Sequence, residues 1–136
     1  MSKKLIESYK ILIDNIFSRS KGILGNTFII KLIKKAEKVT SNGERSLLKG
    51  IEYEKNELQL DSVYKNYNEK ESTYTEEIIA DNFNKILELI NKALTMLVGS
   101  TSSLKILKDG LQDLKVNNKE IFETVNLEKK LPNFLS

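Results

Sequence analysis

Lys31, Lys34, Lys35 and Lys38 fall at i, i+3, i+4 and i+7, a spacing that gathers four ammonium groups on one face of a helix. Such a face can contact phosphate or an acidic protein surface. A solvated face, or one paired with acids of its own chain, shows the same spacing. Two features count against nucleic acid. Arginine, which makes bidentate contacts to bases and phosphates, is nearly absent, with 2 Arg against 20 Lys. No aromatic residue interleaves with the lysines for base stacking.

The stretch before the lysines, "GILGNT" at residues 22–27, has the glycines of a phosphate loop. A Walker A loop follows a buried strand and carries a Lys after its last Gly. Here an amphipathic helix precedes the glycines and Asn26 stands at the lysine position, so the reading is a helix-to-helix turn. In that turn Gly25 takes a positive φ, and Asn26 or Thr27 caps the next helix. "VGST", with Gly99, Ser100 and Thr101, reads the same way. A helix-turn-helix over residues 9–38 fits poorly, because the first helix is too long and the turn too extended.

Glu76, Glu77, Asp81 and Glu88 are the one carboxylate group worth weighing as a metal site. Helix-bundle carboxylate centres add histidines on inward positions. The chain has no His, and acids at a helix start are favoured by the macrodipole, so these read as structural. It also has no Cys, which removes thiolate catalysis, disulfides and zinc–cysteine sites together. No nucleophile–base pair and no cofactor fingerprint is present. The expectation is a non-enzymatic protein with no catalytic residues, cofactor or metal. Tyr53, Tyr64, Tyr67 and Tyr74 either anchor a loop or offer aromatic surface to a partner.

The elements that must position these residues read as helices. From Lys3 to Ser18 the apolar residues Leu5, Ile6, Tyr9, Leu12, Ile13, Ile16 and Phe17 form one stripe. A second helix is expected over 27–39, with Ile29, Leu32, Ile33 and Ala36 inward. "TSNGE" closes it, with Gly43 left-handed beyond its end. Residues 45–56 suit a helix, with a short hairpin as the alternative. Residues 59–74 are polar and read as a linker or loop. Thr73 and Glu76 have capping-box spacing. A long stripe then runs through Ile79, Phe83, Ile86, Leu87, Ile90, Ala93, Leu94 and Leu97. Further helices are expected near 101–114 and around Ile121, Phe122 and Val125. After Pro132, the apolar residues of the tail can dock back on the core.

Shifted by 74 positions, the two halves align without a gap. Gly25 meets Gly99, Thr27 meets Thr101, and Lys31 and Lys34 meet Lys105 and Lys108. Seven identities occur between residues 9 and 55, against roughly four expected from composition. Apolar positions also match, including Tyr9 with Phe83 and Ile33 with Leu107. The expectation is an internal duplication of 3–57 and 77–131, which favours the helical reading of 45–56. The fold class is then all-α, about six helices in two three-helix units packed as a single domain.

Charge is uneven along the chain. Residues 1–49 carry eleven Lys/Arg against four Asp/Glu, and residues 50–81 carry three against nine. No apolar run approaches the ~18 residues of a membrane span, and the first residues are charged rather than signal-like, so a cytoplasmic protein is expected. By elimination the chain reads as a helical interaction, adaptor or regulatory protein that binds partner proteins or itself. Nucleic-acid binding through the lysine face is the alternative, followed by a small-ligand sensor with a pocket between the two units.

Overall fold

The computed structural model describes residues 2–41 and 46–136. Six α-helices and one hairpin share a single apolar core. They are α1 (Ser2–Leu24), α2 (Asn26–Thr40), β1 (Glu52–Glu54), β2 (Glu57–Gln59), α3 (Asp61–Glu69), α4 (Glu76–Val98), α5 (Ser100–Asn117) and α6 (Lys119–Thr124). The apolar stripes of α1 and α4 face each other at the centre, where Tyr9 stacks on Phe83 with ring centroids 5.3 Å apart. Helix α5 lies against both, and α2 lies mainly against α4. Gly110 lets α5 approach α1 closely: a Cβ there would sit 2.6 Å from Ile16 Cγ1 and 3.2 Å from its backbone nitrogen. Among the described residues no helix is long and apolar enough to cross a membrane.

Helix α1 joins α2, and α4 joins α5, through a single glycine. Gly25 has φ 83° and ψ 148°, and Gly99 has φ 88° and ψ 162°. This region of backbone space is essentially closed to residues with a Cβ. The Gly25 N–H donates to Lys21 O at 2.8 Å, and its carbonyl accepts from Ile29 N at 3.1 Å. At Gly99 the matching bonds go to Thr95 O at 2.9 Å and from Ser103 N at 3.0 Å. One residue thus ends one helix and starts the next. It also displaces the expected caps: Asn26 and Ser100 are already helical, Thr27 and Thr101 follow them, and no side chain caps either helix.

The 74-residue alignment pairs helices of the same length here, since α1 and α4 each span 23 residues and are followed by the aligned glycines Gly25 and Gly99. It does not extend to the third elements. Residues 47–50 form a turn and 52–59 an antiparallel hairpin, against helix α6 in the second half. Lys55 and Asn56 both take positive φ, as a two-residue hairpin turn of the primed type requires, and Tyr53 faces Leu58 on the core side. Three-dimensional pairing of Tyr53 with Leu58 therefore overrides the helical reading of 45–56.

The segment expected as a polar linker is also ordered, carrying α3 and a 3-10 turn at Glu71–Thr73. Leu60, Val63, Tyr67 and Tyr74 are buried, and Tyr53 meets Phe17 edge-on at 5.1 Å, so the tyrosines anchor the segment instead of lying open to a partner. Asn66 Nδ2 donates to the carbonyls of Leu47 and Lys49 at 3.0 and 2.8 Å. Helix α4 is capped by Thr75, whose side chain accepts from Ile78 N at 3.2 Å, rather than by Thr73. Gly43 lies outside the described residues. Leu131 and Leu135 dock on the core as expected, and the tail is tied down where Asn84 Nδ2 and the Tyr9 hydroxyl reach Lys130 O at 2.8 and 3.4 Å.

Asp14 on α1 holds the hairpin in place. Its Oδ1 accepts from Leu58 N at 2.9 Å and its Oδ2 from Lys10 Nζ at 2.7 Å. Burial nonetheless raises the carboxyl above its usual range. Because it then binds a proton more readily folded than unfolded, its contribution to stability grows as pH falls through that window. Asp14→Ala leaves the Leu58 N–H unpaired and should cost about 1–3 kcal/mol in urea unfolding. Asp14→Asn, with its acceptor kept, should cost less and flatten the pH dependence. At the joints, Gly25→Ala and Gly99→Ala should each cost about 1–3 kcal/mol, although neither Cβ would touch another atom. Asn should be no better tolerated than Ala there, because a ψ near 150° lies outside the left-handed helical basin that Asn accepts.

Candidate functional site

The four lysines of α2 are all exposed, and none has an ion-pair partner among the described residues. They do not act as one patch. Lys31 and Lys35 lie toward α4, whereas Lys34 lines a depression shared with Ile51, Glu52, Tyr53 and Glu54 beside the hairpin. Lys38 belongs to neither.

Between α2 and α4 runs an open groove of about 260 Å³. Leu32, Leu89 and Ala93 form its floor, Phe28 and Met96 stand in its walls, and Lys31, Lys35 and Lys92 complete the lining. Phe28 is 44% exposed and Met96 79%, large values for such side chains in a chain whose other stripes are buried. Leu97, expected inside, is also exposed, because α4 outruns the core in its last turn. The groove arises because one α2 face presents Ile29, Leu32, Ile33 and Ala36 to the core while Phe28 stands at the edge of that stripe.

Sequence reasoning missed four of these residues, Phe28, Leu89, Lys92 and Met96. Phe28 is an aromatic side chain among the lysines, contrary to the expectation that none interleaves. Lys92 and Met96 sit on α4 at the edge of a stripe read only as core. Their signal was the spacing Leu89, Lys92, Ala93, Met96, a second helical face one step from the buried one.

A larger depression, about 340 Å³, lies between the start of α1 and the α5–α6 turn. Its lining is mostly polar, with Lys4, Glu7, Lys119 and Glu120 giving both signs of charge and only Ile121 as an apolar residue. It lacks the apolar anchors that make an interface. Glu76 and Glu77 occupy the first turn of α4, with Glu76 3.8 Å from Lys130 Nζ, and Glu88 pairs with Lys85 at 3.1 Å. No group of three or more His, Cys, Asp or Glu placed to hold a metal ion occurs among the described residues.

On the other side of the molecule, between α1 and α5, Arg19 Nε and Nη2 donate to Asp113 Oδ2 and Oδ1 at 2.7 and 2.9 Å. This bond raises the guanidinium further and holds the Asp113 carboxyl below its usual range. Asp109 lies 3.9 Å from Arg19 and accepts from Lys105 at 3.0 Å.

If Phe28 and Met96 play no part in folding, polar replacement should leave stability untouched. Phe28→Asp and Met96→Asp should each change unfolding free energy by less than about 0.5 kcal/mol, whereas Leu32→Ala on the groove floor should cost about 2–5 kcal/mol. Chemical denaturation of the three variants measures this directly. No family model matches the chain, and no curated protein or solved structure matches it significantly either.

Proposed function

We propose that this protein is a non-enzymatic helical interaction module, an adaptor or regulator that binds a partner protein through the groove between α2 and α4. The observation that carries the reading is the exposure of Phe28 and Met96 over an apolar floor, ringed by three lysines that have no partner among the described residues. Exposed apolar surface with a polar rim is the usual mark of a protein-docking site. The groove is open and smaller than the roughly 300–1,000 Å³ of sites that enclose small ligands, which places a ligand-sensor role lower. The helix–glycine–helix units are read as two copies of one ancestral piece, and the groove lies where the first copy meets the second. A cytoplasmic location remains part of this proposal.

A second reading is favoured by Phe28 itself. An exposed ring beside Lys31 and Lys35 is the pairing that single-stranded nucleic acid uses, stacking plus phosphate contact. Against it, one of the two arginines, Arg19, is committed to Asp113 on another face.

A photoreactive residue at position 96, in the chain expressed in its own cells, separates the two. Discrete protein adducts that disappear with Phe28→Asp, and that do not form from position 55 on the hairpin, are expected. Nucleic acid as the only adduct, lost at high salt, would establish the second reading. Equal adducts from both positions would exclude a specific site.

A further inference from the structure

We infer that the α2–α4 groove receives an acidic amphipathic helix from a partner protein, whose carboxylates take the place that Asp109 and Asp113 fill on the opposite face of the molecule. This rests on the reading of the groove as a protein-docking surface and adds the chemistry of its occupant.

The 74-residue alignment of the helix pairs sets two faces of the molecule side by side. Helix α1 against α5 is equivalent to α4 against α2. On the first face, Arg19 bridges to Asp113 and Asp109, and Lys105 adds a further bond to Asp109, so cations and acids satisfy each other. On the second face, the position of Arg19 is held by Ala93, which leaves an apolar floor. Lys35 stands where Asp109 does, and Val39, half exposed, stands where Asp113 does. Lys31 keeps the place of Lys105 but has lost its acid. One face is therefore closed by its own ion pairs. The other has the cations and the apolar surface with every acid removed.

The walls decide the shape of the occupant. Both are helices, whose backbone groups are already bonded along the helix, so an extended strand would find no main-chain partner there. A helix satisfies its own backbone and needs only side-chain contact. Phe28 to Lys35 and Leu89 to Met96 each cover seven steps, about 10 Å or two turns. The matching ligand offers apolar side chains at i, i+4 and i+7 over two turns. Lysines stand on both walls, Lys31 and Lys35 on α2 and Lys92 on α4, so acids are required on both sides of that apolar stripe. A second copy of this chain bound symmetrically would set these lysines against themselves, which disfavours it.

The test uses the full chain and three fluorescent peptides of about 18 residues, long enough to form a helix. All carry Leu at i, i+4 and i+7. One is flanked by Glu and one by Lys; the third is Glu-flanked with two central prolines. The Glu-flanked peptide should bind about tenfold more tightly than the Lys-flanked one, the sum of several rim charge pairs. The prolines should abolish binding. Combined Lys31→Glu, Lys35→Glu and Lys92→Glu should invert the preference, while the same change at Lys55, Lys65 and Lys108 should leave it in place. Equal or tighter binding of the Lys-flanked or proline peptide overturns the acidic-helix occupant but keeps the docking surface. Binding by none of them, or binding indifferent to Phe28→Asp, overturns both. Self-association that blocks the peptide and is relieved by Phe28→Asp would identify a second copy as the occupant instead.

Discussion

Everything else in this fold follows from two glycine joints. A helix that must reverse or turn within one residue cannot use a conventional cap, because there is no room for a capping side chain before the next helix begins. The chain instead lets Gly25 and Gly99 serve both ladders at once, each N–H closing the helix before and each carbonyl opening the helix after. The cost is a backbone conformation open only to glycine. The gain is geometric: with a single residue between them, α2 has little freedom relative to α1, and α5 little relative to α4. The joints thereby carry α2 onto α4 and α5 onto α1, around a centre where equivalent residues, Tyr9 and Phe83, stack on each other.

The two helix pairs differ in the chemistry that lies between them. The α1–α5 side is drawn together by Gly110 and by the fork of Arg19 on Asp113, a charge-assisted geometry that fixes two helices side by side. The equivalent of Gly110 on α2 is Ala36, also small and fully buried, so close approach is preserved on the α2–α4 side. What is not preserved is the pairing of charge above it. The hairpin packs on α2 as well, and in the turn that precedes it Gly50 N donates to Glu37 Oε2 at 2.6 Å. The hairpin thus claims one flank of α2 and the core claims another, which leaves Phe28, Lys31 and Lys35 on the flank that faces the groove among the described residues.

Much of this was legible in the sequence, and the failures have identifiable causes. The helices α1, α2, α4 and α5 have stripes long enough for the 3.6-residue period to be unambiguous, and the two glycines stand at their ends. Helix α3 was missed because its stripe, Leu60, Val63, Tyr64 and Tyr67, is half tyrosine inside a polar segment, so a true i, i+3, i+4, i+7 pattern read as aromatic scatter. The hairpin was outweighed by the apparent repeat, although Lys55-Asn56 between "EYE" and "ELQ" was a local signal, Asn being tolerant of positive φ. At the site, the lysines were visible but their division was not, since which flank of α2 meets α4 is decided by tertiary packing. Phe28 and Met96 were passed over because they stand beside the apolar stripes of their helices rather than in them.

The groove's residue types also explain how such a surface stays compatible with a well-behaved fold. Lys31, Lys35 and Lys92 carry long aliphatic stems that can lie along apolar surface while their ammonium groups stay in water. Met96, unbranched and with several rotatable bonds, adapts to whatever shape is presented to it. The floor beneath them consists of buried Leu32 with half-buried Leu89 and Ala93. On the opposite face, Arg19 is held by two bonds to Asp113. The α1–α5 face thus differs from the groove in that its arginine is paired with acids of the chain itself, whereas Lys31, Lys35 and Lys92 have no ion-pair partner among the described residues.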